Sequence, residues 1–264
     1  MHFYCLLFIL YLSMLYNLYK PRGETPLECL SNFLRREKIK EKAAYLGRLD
    51  PMAEGVLLIA TGDDIKKRDE MLTLDKEYNF TILFGFSTDS YDALGKILRV
   101  ESIKDFDENY LRKAVAIYQG ERDQKYPLFS SKSIGGRSLY EWARMEKLDL
   151  IEVPSQKITI HKLSFGGLQK FQAKELLGRL LADISKVKGD FRQHDTLVLW
   201  KEILQNHASD LFIGKFNAHV SAGCYIRSIV NELGNTMGTG ACALSIVRTR
   251  VGEHMIENSI RQKV

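Results

Sequence analysis

Hydrophobic and polar positions change period several times along the chain. Tyr78, Phe80, Ile82 and Phe84 alternate with Asn79, Thr81 and Leu83, the period-two signature of a strand. Leu211–Val220 alternates in the same way, Ile158–Phe165 reads as a strand, and Met14–Tyr19 reads as a short one. Gly55–Ala60 (GVLLIA) is an unbroken apolar run, which predicts a buried strand. Helical spacing takes over at Leu27, Leu30, Phe33 and Leu34, and again at Ile226, Ile229, Val230, Leu233 and Met237. The first of these helices carries three start signals, with Thr25 as N-cap, Pro26 at the first position and Glu28 at the third, the makings of a capping box. Asp107–Tyr118 predicts a helix stopped by Gly120, Asp64–Leu72 a short helix, and residues 170–207 the largest helical stretch. Residues 121–137 are polar and irregular, with Pro127 and Gly135-Gly136, and predict a long loop.

Interspersed strands and helices with long antiparallel-looking stretches argue for an α+β or mixed α/β class. A chain of 264 residues without repeats, low-complexity tracts or linkers accommodates one large domain or a core carrying an insertion. The net charge of +5 is mild, but its distribution is uneven. Between Lys20 and Arg48 eight Lys or Arg face four Glu, so most of the excess positive charge precedes Asp50. Such a segment either attracts a polyanion or forms a solvated helix face laced with salt bridges. Cys5, Cys29, Cys224 and Cys242 show no C-x-x-C spacing, and neither His219 nor His254 completes a zinc pattern. Reduced, mostly buried thiols in a cytoplasmic protein are expected, with no metal and no disulfide framework. The apolar stretch Met1–Leu12 is too short to span a bilayer. It lacks a Lys/Arg n-region and a small-residue cleavage site, so no membrane association is expected.

Three positions are candidates for chemistry. Asp50 precedes Pro51, and Gly47 and Gly55 flank it. A Leu-Asp-Pro sequence is first of all a turn; with a rigid strand behind it, the same carboxylate can serve as a nucleophile or general base. Arg227 sits where a glycine-terminated strand gives way to a helix. It is an ordinary surface arginine or the partner of a buried carboxylate, which it would hold ionised. Tyr78 opens a strand after Lys76-Glu77 and is either a core tyrosine or a platform on which a nucleic-acid base stacks. There is no Walker loop, strand-linked GxGxxG, H-E-x-x-H or G-x-S-x-G, which removes the common nucleotide, zinc-protease and serine-hydrolase readings. Gly234–Gly240 is glycine-rich but reads as a helix end.

Taken in order, these segments resemble the TruB family of pseudouridine synthases. Leu18-Tyr19-Lys20-Pro21-Arg22-Gly23 is similar to the family's N-terminal Lys-Pro-x-Gly segment, and Gly47-Arg48-Leu49-Asp50-Pro51-Met52-Ala53-Glu54-Gly55-Val56-Leu57 to its catalytic motif. Lys76-Glu77-Tyr78, Gly85 and the run Ser87–Gly95 (STDSYDALG) match its K-x-Y…G…T-D-T-x-D-x-x-G pattern. Gln124–Lys132 with Gly136–Glu141 resembles the RNA-gripping thumb, and Ser221–Gly234 (SAGCYIRSIVNELG) a C-S-x-G-T-Y-I-R motif. The resemblance covers residues 14–252.

It implies an α+β fold with a central, mainly antiparallel sheet flanked by helices, a thumb at about 121–145 and a helical insertion at about 170–207. The catalytic domain would be residues 14–264, with residues 1–13 an upstream extension and no C-terminal PUA-type domain. The implied activity is isomerisation of the T-loop uridine of tRNA, at position 55, flipped out of its stack. The C–N glycosidic bond breaks, the uracil turns, and a C–C bond forms without a cofactor. Asp50 would be the essential carboxylate, Arg227 its partner and Tyr78 the stacking ring. Tyr225 and Ile246 would line the base site, and Lys20 and Lys132 would lie near the RNA. The partner would be the tRNA T-arm, bound by a monomer. Tyr45-Leu46 stand where the family usually has His-Thr, and Tyr45 would stack in place of that histidine. Arg48 creates a Gly-Arg-Leu-Asp form also found in synthases of ribosomal RNA, while Tyr126 and Ser131 depart from the thumb pattern. A ribosomal-RNA synthase and a non-catalytic RNA-binding module are the competing readings.

Overall fold

The computed structural model describes residues 14–207 and 209–261; the expected extension at 1–13 lies outside them. The chain opens with β1 (Met14–Lys20), α1 (Pro26–Glu37), β2 (Ala43–Leu46) and β3 (Ala53–Thr61). A 3₁₀ turn at Gly62–Lys67 leads to α2 (Arg68–Thr73), followed by β4 (Lys76–Phe84), β5 (Phe86–Thr88), β6 (Ile97–Val100) and α3 (Glu108–Ile117). The thumb segment holds β7 (Gly120–Lys125), β8 (Ser133–Ile134), β9 (Arg137–Ser138) and α4 (Leu139–Arg144). Next come β10 (Ser155–Phe171), α5 (Ala173–Ser185), α6 (Gln193–Gln205), β11 (Leu211–Val220) and α7 (Ile226–Thr236). The last elements are β12 (Ala241–Val251), β13 (His254–Met255) and β14 (Ile260–Arg261).

One sheet runs in the order β14-β1-β3-β12-β4-β11-β10-β7, with β2 on β3 and β13 on β12. Its pairings are antiparallel apart from β1–β14 and β3–β12, so the expected mainly antiparallel sheet flanked by helices is present. The apolar run of β3 follows from its place inside the sheet. Leu57 and Ile59 pack with Phe33 and Leu30 of α1, while Val56, Leu58 and Ala60 pack with Val251 and Leu46 on the other face. Burial on both faces removes the need for polar alternation. The capping box of α1 forms as expected, Thr25 Oγ1 accepting from Glu28 N at 3.1 Å and Glu28 Oε2 accepting from Thr25 N at 2.8 Å. Leu27, expected on the apolar face of that helix, is instead 60% exposed.

Residues 121–137 depart from the expected loop. The first part is the edge strand β7, paired only with β10 from Ser155↔Lys125 to Ile160↔Gly120. An edge strand keeps one side in solvent, so its polar sequence (GERDQK) hides the strand. Gly120 begins this strand, and Tyr118 rather than a glycine caps α3. The sequence reading also stops β10 short: it spans Ser155–Phe171. Central strand β12 was not anticipated, because its arginines and small residues break the period-two pattern.

The helical insertion forms α5 and α6, whose Leu176, Leu180, Ile184, Trp200 and Leu204 pack on Leu83, Phe86 and Ile213. It also grips the loop after β5. Trp200 Nε1 donates to Ala93 O at 2.9 Å, Thr196 Oγ1 to Leu94 O at 3.1 Å, and Arg192 pairs with both oxygens of Asp89 at 2.6 and 3.1 Å. On its other side this loop is zipped to β12 through Ala93 N to Ala243 O and Ala243 N to Tyr91 O. The loop between Thr88 and Gly95 is thus a rigid mount, and it carries two residues of the site.

Candidate active site

Asp50 lies in the turn between β2 and β3, where its carbonyl accepts from Ala53 N at 3.0 Å. Behind it, Gly55 has φ +111° and faces the backbone of Arg248 so closely that an added Cβ would overlap the Arg248 carbonyl. Only glycine fits there, and the parallel register Arg248↔Gly55 brings β12 against the turn.

Arg227, in the first turn of α7, is 3% exposed and its guanidinium is fully engaged. Nε donates to Asp50 Oδ2 at 2.7 Å, Nη1 to Ser90 O at 2.6 Å and Nη2 to Phe129 O at 3.2 Å. One planar cation therefore ties together the Asp50 turn, the loop after β5 and the segment between β7 and β8. Asp92 stands 3.7 Å from the same Nε, with Oδ1 accepting from Ser90 Oγ at 2.6 Å and Leu94 N at 3.0 Å. Burial pushes the Asp92 carboxyl above the ordinary range, against the pull of Arg227. Burial also disfavours the Arg227 charge, but Asp50 and Asp92 outweigh it and raise its pKa. Of the two carboxylates, Asp50 makes the shorter contact with Nε, 2.7 Å against 3.7 Å for Asp92.

Asp50 sits where two openings meet. The inner one, about 370 Å³, is lined by Tyr78, Tyr126, Tyr225, Ile246, Arg227 and Arg248, a size and mix of walls suited to a small planar ligand. The outer one, about 600 Å³, runs under the thumb between Leu27, Tyr45, Phe129, Ser133 and Tyr140. The exposed Leu27 is thus part of the outer wall. Tyr126 and Tyr225 meet edge to face with centroids 5.7 Å apart. Gln124, 1% exposed, clamps the Tyr225 backbone, donating to its carbonyl at 3.1 Å and accepting from its N–H at 2.8 Å. Burial raises the pKa of Tyr78 and Tyr225, so both rings stay neutral and aromatic contact dominates.

The expected residues divide cleanly. Asp50, Tyr78, Tyr225, Arg227 and Ile246 share the inner pocket. Tyr45 faces the outer opening and packs beside the Phe33 core. Lys132 is exposed on the thumb, its ammonium 5.1 Å from the Tyr126 ring centroid. Lys20, expected near the RNA, is corrected: it is 0% exposed, and its ammonium donates to Glu24 O at 2.6 Å and Pro21 O at 3.0 Å. Burial lowers its pKa to about 8, with Cys29, Asp50 and Glu24 opposing the fall. It is an interior cation near the catalytic turn and cannot touch a phosphate from where it lies.

Sequence reading missed Asp92, Ser90, Gln124 and Arg248 as site residues. Arg248 is 3% exposed; it donates to Val56 O at 2.7 Å and Arg48 O at 2.8 Å, and its guanidinium also acts on the buried Tyr78 hydroxyl. Ser90, Asp92 and Gln124 stood within segments that carry the family resemblance and were detectable there; Arg248 had no comparable signal.

Comparison with known proteins agrees with this geometry. A family model described as TruB family pseudouridylate synthase (N terminal domain) matches residues 35–186, more than half of the chain. The chain belongs to the TruB family. Among TruB relatives, tRNA pseudouridine synthase B of Clostridium tetani (strain Massachusetts / E88) is 30% identical over 244 residues, covering 92% of this chain and 69% of that protein. The enzyme of the same name from Caldanaerobacter subterraneus subsp. tengcongensis is 29% identical over 243 residues, covering 92% and 70%. Among solved structures, a chain of a Cbf5-Nop10-Gar1 complex matches with a TM-score of 0.58 at 20% identity, over 94% of this chain and 51% of that one. This likeness concerns the fold, and the TruB-family chain spans about half the length of that solved chain. Among the described residues, no helix is long and apolar enough to cross a membrane.

Proposed function

We propose that this TruB-family chain converts the T-loop uridine at position 55 of tRNA to pseudouridine. The observation that carries the proposal is the Asp50–Arg227 pair at 2.7 Å on the wall of a pocket also lined by Tyr78 and Tyr225. A flipped uridine enters the inner pocket; leaving the stack costs a few kcal/mol, offset by contact with aromatic rings and by hydrogen bonds. Asp50 acts on the ribosyl–uracil unit as nucleophile or base, its carboxylate held in place by the Arg227 guanidinium at 2.7 Å. The C1′–N1 bond breaks, the uracil turns within the pocket, and C5 bonds to C1′. The proton displaced from C5 leaves, and N1 gains one, so the reaction is an isomerisation without oxidant or hydrolysis. The outer opening, with Tyr45, Tyr140 and the Lys132 rim, holds the loop from which the nucleotide is turned out.

The test is incubation with an unmodified tRNA transcript and single-nucleotide mapping of pseudouridine. Stoichiometric product at position 55 is expected. Product confined to ribosomal RNA would overturn the substrate assignment, and binding of tRNA without product on either RNA would favour a non-catalytic module.

A further inference from the structure

We propose that Asp75, His161 and His219 form a binding site for a divalent metal ion of the zinc type, separate from the active site. The three residues come from different parts of the chain: His161 from β10, His219 from the paired strand β11, and Asp75 from the residue before β4. Their ligand atoms all lie within 4.8 Å of one another. Both histidines present Nε2 to the same carboxylate oxygen, Asp75 Oδ2, at 3.2 Å from His161 and 3.5 Å from His219. Tetrahedral zinc with bonds of about 2.0–2.1 Å separates its ligands by roughly 3.3 Å, so both Asp–His spacings already fit a shared ion. The two rings are 4.7 Å apart and inclined at 42°, so they converge without stacking.

The backbone departs from regular pairing where this convergence requires it. Ile160 pairs with Val220 and Lys162 with His219, so His161 is the extra residue of a β-bulge. In a regular ladder the side chain before Lys162 would point to the opposite face from His219; a bulge re-aims it. Asp75 is anchored as well, its carbonyl accepting from Gly252 N at 2.9 Å. Neighbouring charges leave room for a cation. The Lys76 ammonium is occupied by the carbonyls of Leu72 and Leu74, and Arg250 is paired with Glu77. Two neutral imidazoles and one carboxylate suit zinc or a similar first-row ion. With only three protein ligands and partly exposed side chains, the remaining position is open to water. No local spacing betrays the cluster, because the helical insertion separates the two histidines in sequence.

An ion here would join β10, β11 and the start of β4, so its signature is stability and spectroscopy and not turnover. The probe is Zn²⁺ added to chelator-treated full-length protein, with thermal unfolding as the readout, and Co²⁺ absorption as the measure of coordination. A rise in Tm of at least about 3 °C at saturating Zn²⁺ is expected, together with Co²⁺ bands of a nitrogen–oxygen site that lack a thiolate charge-transfer band. His161→Gln and His219→Gln should each lose the Zn²⁺ response while melting within about 2 °C of wild type in chelator. No Zn²⁺ response in wild type, an equal response in both variants, or a thiolate band would overturn the proposal, the last two by placing the ion elsewhere.

Discussion

At the scale of single residues, function turns on how one arginine is shared. Arg227 spends its guanidinium on Asp50, Ser90 and Phe129, a fork that lysine cannot reproduce. Arg227→Lys keeps the charge but strands buried carbonyls, and urea unfolding should show a loss of about 2 kcal/mol. Its single-turnover rate should fall by roughly 10²-fold or more with RNA affinity nearly unchanged. Asp50→Asn should lower the same rate by more than about 10³-fold at equal RNA affinity; measurable turnover near wild type would remove Asp50 from its role. Lys20 yields a pH signature. Burial holds its folded pKa at about 8, below the ordinary lysine value of 10.5, so the folded chain gives up this proton more readily than the unfolded one. Stability therefore rises between about pH 8 and 10.5, by about 3 kcal/mol relative to Lys20→Met. Parallel stability–pH curves for the two proteins would refute this. The sequence made Asp50, Tyr78 and Arg227 visible because they sit in compact motifs. The contacts of Gln124 and the position of Arg248 were not visible: each acts on backbone groups distant in sequence, the Tyr225 peptide for one, the Val56 and Arg48 carbonyls for the other.

Among the elements, the strands with regular alternation or full burial were legible and those with another duty were not. Strand β4 shows its period, and β3 its continuous apolar run, because packing alone decides their residues. Strand β7 is polar because it is an edge, and β12 is irregular because Arg248 leaves the sheet's apolar rule to brace the turn of Asp50. The contact between β3 and β12 is the most demanding one. Gly55→Ala forces a Cβ into the Arg248 backbone at a positive φ, which should cost more than about 2 kcal/mol in a denaturant titration. Activity should fall with it, since the same shift moves Asp50 from Arg227. Wild-type stability in this variant would show that the strands can part without cost.

For the whole molecule, the proposed RNA binding rests on exposed cations such as Lys132 outside a pocket that combines aromatic rings with Asp50, Arg227 and Arg248. RNA affinity should fall steeply with salt, because phosphate contacts release counterions. Lys132→Ala should weaken binding and reduce the slope of log affinity against log salt by about one, whereas Lys20→Met should leave that slope unchanged because Lys20 is buried. An unchanged slope for Lys132→Ala would place this lysine outside the RNA path.

The sheet order carries a further consequence, for how the protein is made. Strand β1 pairs with β14 and β3 with β12, so the beginning of the described chain is completed by its end. Arg227 and Arg248, which hold the turn of Asp50, are synthesised long after it. On the ribosome, β1 and β3 each emerge with one strand partner, β14 and β12, still untranslated. Such distant pairings make folding slow and late. A nascent chain arrested before β12 would therefore carry every residue of the Asp50 turn and yet lack Arg248, which braces it, so the candidate site is complete only once β12 has been made.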